Sequence, residues 1–521
     1  MRSKSVMRLA GVAVLTIILF MGFRFSVAAP TGELTLVTTM MGYEIPITWE
    51  EQARGNDYMK LLYDPLVGTT PDEKGSTEMG LAEKWELSPD GLSLTFRIRK
   101  GVKFHNGEEV TAKDVKFSLA LAVRPDSMLG YAGQFKSTIA SVDIKDPYTI
   151  VIRCKKPYPY LANLLADVGG PDSSILPKDY FEKVGPDEFA KRPIGSGPYK
   201  WHSQMIGSFI KLEATDKHWR DGIPKYKYLT FLLIPEEMSR LAMLKTGEAD
   251  ITFISRENVA GALKSGLNIV SKEDTAVAVL HCTMQWADPA FGDVRFRKAL
   301  NISIDREAII KHLFAGMAKP VDCYLGKDIL SCGGDPTLKP YPYAPEEAKK
   351  LIKEGGYDGY KFKIASYSRS GLPEYSKLVE TAVGYWQKIG LKPEIVMTDY
   401  DAFRKRWESK KSENWVCGFD SASSPGCSEV ISRLWKKFHS SENRSITNLP
   451  EIDAMLDKAS TSLNPKEVPG IIKKFHQFEY NNYLTIPICN INEDMATTKR
   501  IPKWDPGNRR RDRNFIDIIK Q

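Results

Sequence analysis

The alternation of strand and helix patterns between residues 362 and 419 constrains the fold of this chain more than any other feature. Strands are predicted at 362–367, 394–398 and 414–419, with helices between them at 373–389 and 401–409. Strand–helix–strand connections imply parallel pairing with right-handed crossovers. The second half of the chain is therefore predicted to be an α/β domain.

Polar residues follow each of these predicted strands. The segments 366–369, 398–400 and 420–423 are rich in hydroxyl, aromatic and charged side chains. Open parallel sheets bind ligands in the crevice at the carboxyl ends of their strands. This edge is the predicted ligand site, and Arg369 is a candidate for contacting an anion. The alternative, that these are ordinary polar loops, stays open.

The first half contains a hairpin followed by a capped helix. Apolar and polar residues alternate between 92 and 99, which predicts a half-buried strand, and Thr111 is predicted to cap a helix at 112–122. His105 lies beside Glu108 and Glu109, a combination that also occurs in catalytic sites. Asn106-Gly107 is a strong turn signal and acidic residues favour a helix start, so His105 is interpreted as structural.

The first 29 residues have the layout of a secretory leader. Arg2, Lys4 and Arg8 precede an apolar run at 9–23, and small residues at 26–29 form an A-x-A-like cleavage site. A cleavable signal peptide at 1–29 and export to the periplasm are predicted, although Arg24 leaves an uncleaved anchor open. Without the leader the net charge falls from +8 to +4, which predicts no binding to nucleic acid.

Seven cysteines lie after the leader. In an exported protein, Cys323 with Cys332 and Cys417 with Cys427 are candidate disulfides, each closing a short loop. No cysteine or histidine set has zinc-ligand spacing, so no metal or other cofactor is predicted. No phosphate-binding, dinucleotide-binding, metalloprotease or hydrolase motif is present. The absence of these motifs does not by itself exclude an enzyme, because catalytic residues can come together from distant positions in the chain.

Five segments in one order resemble a known family. They are LYDPL at 62–66, LAEKW at 81–85, IGSGPY at 194–199, DVRFRKAL at 293–300, and the stretch 343–357. Together they are similar to the extracellular solute-binding proteins of family 5, the peptide- and nickel-binding receptors of ABC transporters.

The resemblance implies a two-lobed α/β clamp of the periplasmic-binding-protein type (type II) with an extra inserted subdomain. The first lobe would comprise 30–70, 193–275 and 487–521, the subdomain 71–192 and the second lobe 276–486, with hinges near Thr275 and Pro487. Such a protein is a monomer that delivers a peptide or small polar solute to the permease of an ABC importer, and it is not an enzyme. A ligand sensor for a membrane receptor and a secreted hydrolase are the alternatives.

The resemblance also implies which residues line the cleft. Thr38, Thr39 and Met40 would line the first lobe. Trp286 and Trp415 are candidates for stacking on the ligand, and the alternative that each is a core residue stays open.

Peptide-binding members hold the α-ammonium of the ligand with an aspartate after a glycine and an aromatic residue. Here the acidic positions after Phe419 are occupied by Ala and Ser, and Asp420, followed by Ser421, is the sole carboxylate. Either Asp420 binds the ammonium from a shifted position, or the ligand has no free ammonium.

Overall fold

The computed structural model describes residues 30–51, 55–69, 77–127, 129, 132–166, 174–220, 224–282, 288–368, 372–409, 415–422, 427–442 and 445–501. The leader predicted at 1–29 lies outside these ranges. Within them, no helix combines the length and the apolar character that crossing a bilayer requires.

The strands of the described residues are listed in chain order: β1 (Glu33–Thr38), β2 (Val67–Thr69), β3 (Thr77–Met79), β4 (Ala82–Leu87), β5 (Ser93–Ile98), β6 (Ile139–Asp146), β7 (Thr149–Cys154), β8 (Tyr199–Met205), β9 (Phe209–Ala214), β10 (Tyr228–Leu233), β11 (Ile251–Phe253), β12 (Asn268–Cys282), β13 (Ala318–Pro320), β14 (Lys361–Ser366), β15 (Lys392–Met397), β16 (Trp415–Ala422) and β17 (Ile486–Thr497).

The helices of the same residues are α1 (Asn56–Leu62), α2 (Ala112–Ala122), α3 (Ala132–Thr138), α4 (Leu161–Leu164), α5 (Lys178–Val184), α6 (Pro186–Lys191), α7 (Glu237–Thr246), α8 (Arg256–Lys264), α9 (Pro289–Gly292), α10 (Val294–Ile302), α11 (Arg306–Leu313), α12 (Pro345–Glu354), α13 (Tyr375–Lys388), α14 (Tyr400–Glu408), α15 (Cys427–Phe438), α16 (Pro450–Thr461) and α17 (Val468–Asn481). A 3₁₀ helix spans Gly326–Cys332.

Eleven strands form one sheet in the order β15-β14-β16-β12-β17-β11-β1-β10-β9-β8, with β13 also paired to β17. β14 pairs in parallel with β15 and with β16, which confirms the parallel pairing predicted from the strand–helix alternation. We call β11, β1, β10, β9 and β8 the first half of the sheet, and β16, β14 and β15 the second half.

Two long antiparallel strands, β12 and β17, join the two halves. The register from Asn268↔Thr497 continues to Lys272↔Glu493 and resumes at Ala276↔Ile491. Three residues of β12 therefore lie opposite one residue of β17, Asn492. Such an irregularity interrupts the hydrogen-bond ladder and bends the strand. The backbone connection between the halves is thus a single strand pair with two irregular points, the second being a smaller register shift between Ala278 and Val279.

A four-stranded sheet, β4-β5-β7-β6, carries α2. The helix begins and ends at the predicted residues, and its cap is reciprocal. The Thr111 hydroxyl and backbone N–H both donate to the Asp114 carboxylate, over 3.0 and 2.9 Å. A capping box satisfies donors that the helix start leaves free, which explains the agreement between the predicted and observed ends.

His105 joins this region to the main sheet. Its Nδ1 accepts a hydrogen bond from the Gly195 N–H over 3.2 Å, and its Nε2 lies 2.9 Å from the Gly197 carbonyl oxygen. Burial lowers the pKa of His105 to about 4. A Cβ at Gly195 would lie 1.9 Å from the Leu62 carbonyl oxygen. The segments LYDPL and IGSGPY therefore pack together around His105, a structural residue.

The predicted local disulfides are wrong. Cys332 is bonded to Cys427, with Cα atoms 4.4 Å apart, and Cys323 is a buried free thiol. A 3₁₀ helix rises by about 2 Å per residue, so the helix Gly326–Cys332 places Cys332 roughly 12 Å from Gly326. Bridging needs Cα atoms within about 7 Å. Because Cys427 is bonded to Cys332, it cannot pair with Cys417.

Two large hydrophobic cores lie in the molecule, one under each half of the sheet. The first contains the α/β elements of the second half, including Ile364 and Trp386. The other contains the first half together with the four-stranded sheet, including Phe96 and Tyr199. Tyr160 packs against both cores. Among the described residues, two large cores joined by one strand pair fit a clamp of two lobes.

Candidate functional site

The segment after β1 lies where the two halves meet. Thr38 is buried, and its hydroxyl donates to the Met40 carbonyl oxygen over 3.2 Å. The Thr39 hydroxyl is buried without a hydrogen-bond partner among the described residues. The half-buried Met40 packs against the core of the second half. The sequence therefore identified a segment of the first half that contacts the second.

Aromatic residues gather at the carboxyl ends of β14 and β15. Tyr367 follows β14, and its ring centroid lies 4.6 Å from Tyr375, 5.1 Å from Tyr400 and 5.9 Å from Phe403. Parallel strands end at the same sheet edge, so the residue after β14 meets the helix that follows β15. All four rings are buried and form a rigid wall at the edge where the crevice was predicted.

Helix α14 extends this wall toward the first half. The Phe403 and Trp407 ring centroids are 6.2 Å apart. The Lys405 ammonium lies 4.9 Å from the ring centroid of Tyr43, which belongs to the segment after β1. A cation over an aromatic face at this distance is attracted to it. The carboxyl-terminal edge of the second half thus faces the end of β1.

Charged residues occur every fourth position on the buried face of α15. Glu429, Arg433 and Lys437 are each 5% exposed or less. Arg433 donates to Glu429 Oε1 over 3.0 Å from Nε and 2.8 Å from Nη2. The Lys437 ammonium lies 4.4 Å from the Trp407 ring centroid. Burying charge is costly unless it is paired, and Arg433 and Glu429 form such a pair within the helix. We call this charged face of α15 the polar surface.

Further contacts join α15 and α16 to the side that carries the four-stranded sheet. A Cβ on Gly133, in α3, would lie 2.5 Å from Glu442 Oε1, just beyond α15. The Lys156 ammonium lies 3.8 Å from the Asp457 carboxylate of α16. The two bodies are therefore in contact on this side of the polar surface.

A buried ion pair joins the bodies on the other side. Arg256, the first residue of α8, donates to the Glu374 carboxylate from its backbone N–H over 3.1 Å and from Nη1 over 2.7 Å. Its Nε lies 3.4 Å from Asp494 in β17. Nearby, Lys377 pairs with Glu257 at the surface, over 2.8 Å. The structure thus holds the halves together on both sides of the polar and aromatic surfaces.

The structure describes only some of the predicted site residues. Trp286 and Arg369 lie outside the described residues. The backbone of β16, which contains Trp415, Phe419, Asp420 and Ser421, is described, but the side chains of these four residues are not. Asp420 pairs in register with Ala278 of β12.

The buried charges of Arg404, Glu429, Arg433, Lys437 and Glu442 were not predicted from sequence. The available signal was a row of charges four residues apart within an apolar helix pattern at 427–438. Arg404 precedes this helix in α14, and Glu442 follows it. The pattern alone would indicate an amphipathic helix with a solvated face.

One described cluster has metal-ligating residue types. Ligand atoms of Asp322, Cys323 and His476 lie within 4.8 Å of one another. The Asp335 N–H donates to His476 Nδ1 over 3.0 Å, so the imidazole proton is on Nε2, which lies 3.6 Å from Asp322. A metal would need that nitrogen deprotonated. The arrangement suits a buried histidine–aspartate contact better than a metal centre.

Comparisons with known proteins agree with this architecture. The sequence profile of the bacterial extracellular solute-binding proteins, family 5 Middle, matches residues 76–432. The glutathione-binding protein GsiB of Salmonella paratyphi A is 29% identical over 416 residues, which cover 78% of this chain and 79% of that protein.

Solved structures with the same fold include two proteins in complex with their ligands. The ABC transporter-associated protein DppA of Helicobacter pylori, in complex with the peptide STSA, has a TM-score of 0.82 at 23% identity, over 94% of this chain and 98% of that chain. NikZ of Campylobacter jejuni, in complex with Ni(L-His), has a TM-score of 0.75 at 23% identity, over 90% and 94%.

The fold is therefore the predicted two-lobed α/β clamp, and the family profile matches more than half of the chain. Members of this family are substrate-binding proteins rather than enzymes. The chain belongs to the bacterial extracellular solute-binding proteins of family 5, the receptors that capture solutes for ABC importers.

Proposed function

We propose that this protein captures a small anionic peptide in the periplasm, between its two lobes, and delivers it to the permease of an ABC importer. The observation that supports this most directly is the aromatic and charged surface of the second half, which faces the end of β1 across the single strand pair β12–β17. Lobe closure would then enclose the ligand without any covalent step.

The hinge of this closure is proposed at the larger of the two irregular points of the strand pair. Between Lys272 and Ala276 the ladder is interrupted opposite Asn492, close to the boundary near Thr275 that the sequence suggested. Fewer ladder hydrogen bonds need to rearrange there than elsewhere along the pair. The lobes as predicted from sequence, including the subdomain at 71–192, would rotate about this point.

The charges of the second half are of both signs. Arg404, Arg433 and Lys437 are buried, with Glu429 and Glu442 as the acidic members of the described set. The anionic character of the proposed ligand therefore rests on a relative rather than on this set. Glutathione, a tripeptide with two carboxylates and one ammonium, is the first ligand to test, because a relative at 29% identity is a glutathione-binding protein.

The remaining contacts are proposed from the family resemblance. Thr38, Thr39 and Met40 would contact the ligand from the first lobe, and the free Thr39 hydroxyl would hydrogen-bond to it. Asp420 would bind the ligand ammonium. An ammonium buried without its carboxylate partner loses about 3–5 kcal/mol.

Other proposed contacts come from residues whose side chains the structure does not describe. Trp286 and Trp415 would stack on the ligand, Phe419 and Ser421 would flank Asp420, and Arg369 would bind a carboxylate.

The role of Asp420 can be tested with a ligand and a variant that remove the same interaction. We expect calorimetry to show that Asp420→Ala weakens binding of an amine-bearing peptide at least tenfold. N-acetylation of the peptide should weaken wild-type binding to a similar extent and have little further effect on the variant. If N-acetylation weakens binding to the Asp420→Ala variant as much as it weakens binding to the wild type, Asp420 does not contact the ammonium.

Native mass spectrometry of protein purified from the periplasm would identify the natural ligand and the oligomeric state, which is proposed to be a monomer. The N-terminal mass would show whether the leader 1–29 is removed. Glutathione or another small anionic peptide is the expected bound species. A solute returned chemically changed would support the hydrolase alternative and overturn the receptor proposal.

A further inference from the structure

A groove outside the clamp lies between α2 and the edge strand β6 of the four-stranded sheet. Its volume is about 370 Å³, within the range of small-molecule sites, roughly 300–1,000 Å³. One face of α2 lines it through Lys116, Leu119 and Ala120, and Val123 continues this face just after the helix, with spacings of three and four residues. The opposite wall is the start of β6, so two elements of regular structure define the groove.

The floor of this groove is apolar. Leu119 is buried, and Val123, Ile139 and Val142 are half-buried. The small side chain of Ala120 leaves the middle of the groove open. Partly exposed aliphatic side chains in a concave surface favour an apolar chain, because binding removes their surface from water.

Three lysines surround the apolar floor, and no acidic residue lines it. They are Lys116 on α2, Lys136 before β6 and Lys155 after β7. The Lys155 ammonium donates to the Lys136 carbonyl oxygen over 2.5 Å. Among the described residues, no carboxylate lies within 4 Å of the Lys116 or Lys136 ammonium. The charge of the groove is therefore of one sign, and its complement is an anion.

We propose that this groove is a second ligand site, for a monoanionic amphiphile with one carboxylate and a linear apolar chain. The carboxylate would contact the Lys116 and Lys136 ammonium groups, and the chain would lie along Leu119, Val123, Ile139 and Val142. The limited volume between a helix and a strand suits a single free molecule rather than a membrane surface. The groove is lined from the core opposite the aromatic wall, so it is a different site from the proposed clamp site.

Decanoate and octanoate, below their micellar concentrations, are suitable probes for calorimetry with the full mature chain. Each methylene buried contributes up to about fourfold in affinity, so decanoate should bind up to about fifteenfold more tightly than octanoate. Lys116→Gln and Lys136→Gln should each weaken decanoate binding by about two- to fivefold, as expected for a partly exposed ion pair. Ala120→Glu, an exposed helical substitution, should abolish binding and leave thermal unfolding unchanged.

Lys145→Gln is the matched control, since Lys145 is exposed on the same strand and does not line the groove. It should leave decanoate affinity unchanged. Three results would overturn the proposal: equal weakening by Lys145→Gln, equally tight binding of decyltrimethylammonium, or binding to phosphatidylglycerol vesicles with no saturable binding of monomeric decanoate. Unchanged decanoate binding by the Ala120→Glu variant would also overturn the proposal, because the apolar chain of the ligand would then lie elsewhere.

Discussion

The ion pair between Arg256 and Glu374 should control the closure of the clamp. Arg256 begins a helix of the first half and Glu374 precedes a helix of the second, so their contact exists only while the bodies meet. Both side chains are 3% exposed, and the carboxylate accepts two hydrogen bonds from Arg256. Glu374→Gln removes the negative charge and keeps the size of the side chain.

The loss of stability of the closed form depends on the interactions that Arg256 keeps in the Glu374→Gln variant. Breaking a buried pair completely costs about 3–5 kcal/mol, but Asp494 remains 3.4 Å from the guanidinium, and the new amide oxygen can still accept one hydrogen bond. We therefore expect the closed form of the variant to lose about 2 kcal/mol, the scale of one hydrogen bond to a charged group. Ligand affinity should fall by roughly thirtyfold, because only the closed form binds tightly.

Calorimetry with the peptide that binds wild-type protein would measure this loss. Small-angle scattering of the ligand-free variant should show a larger radius of gyration. Lys377→Gln is the control, since it breaks the exposed pair with Glu257 between the same two helices. A surface pair of this kind contributes about 0.5 kcal/mol, roughly a twofold change. The reasoning is refuted if Lys377→Gln weakens binding as much as Glu374→Gln, or if Glu374→Gln leaves affinity within twofold of wild type.

Three further predictions concern stability. Burial raises the pKa of Glu479 to about 7, so the folded state favours the protonated form of this residue. The protein should therefore lose up to about 3 kcal/mol of stability as pH rises from 4.5 to 7. Denaturant unfolding at several pH values should show that the Glu479→Gln variant, which cannot ionise at this position, lacks this loss. The disulfide between Cys332 and Cys427 spans 95 residues. Replacing both cysteines by Ser should lower the unfolding free energy by about 4 kcal/mol. A reducing agent should lower the Tm of the wild-type protein but not that of this variant. A Cβ at Gly195 would overlap the Leu62 carbonyl oxygen, so Gly195→Ala should lower the unfolding free energy by about 3 kcal/mol or prevent folding. Gly261 lies in α8 with open space around the position of a Cβ, so Gly261→Ala should stabilise the protein by about 0.5–1 kcal/mol.

Local patterns predicted the elements of the fold well. The helices Ala112–Ala122 and Pro345–Glu354 begin and end at the predicted residues, because a capping box in one and Pro at N1 in the other act within a single turn. Strands β14, β15 and β16 lie within one to three residues of their predicted ends. Period-two and period-3.6 patterns report which face of an element is buried, and that information is contained in neighbouring residues.

The candidate site was predictable only in part. The edge at the ends of β14 and β15 follows from parallel pairing, which the sequence implies. The charged face of α15 does not, because charges four residues apart usually face solvent. Here Lys437 is buried against Trp407, a neighbour that chain topology supplies from a different helix.

The sequence by itself determined the class of fold and the order of its elements, because these depend on local periodicity, turns and caps. The family came from the resemblance of five segments to known family members. Only the tertiary structure decided which distant segments meet. The disulfide joins cysteines 95 residues apart, and Arg256 meets Glu374 across 118 residues. Such contacts depend on how preformed elements pack around two cores, and no pattern within a short window of sequence records that packing.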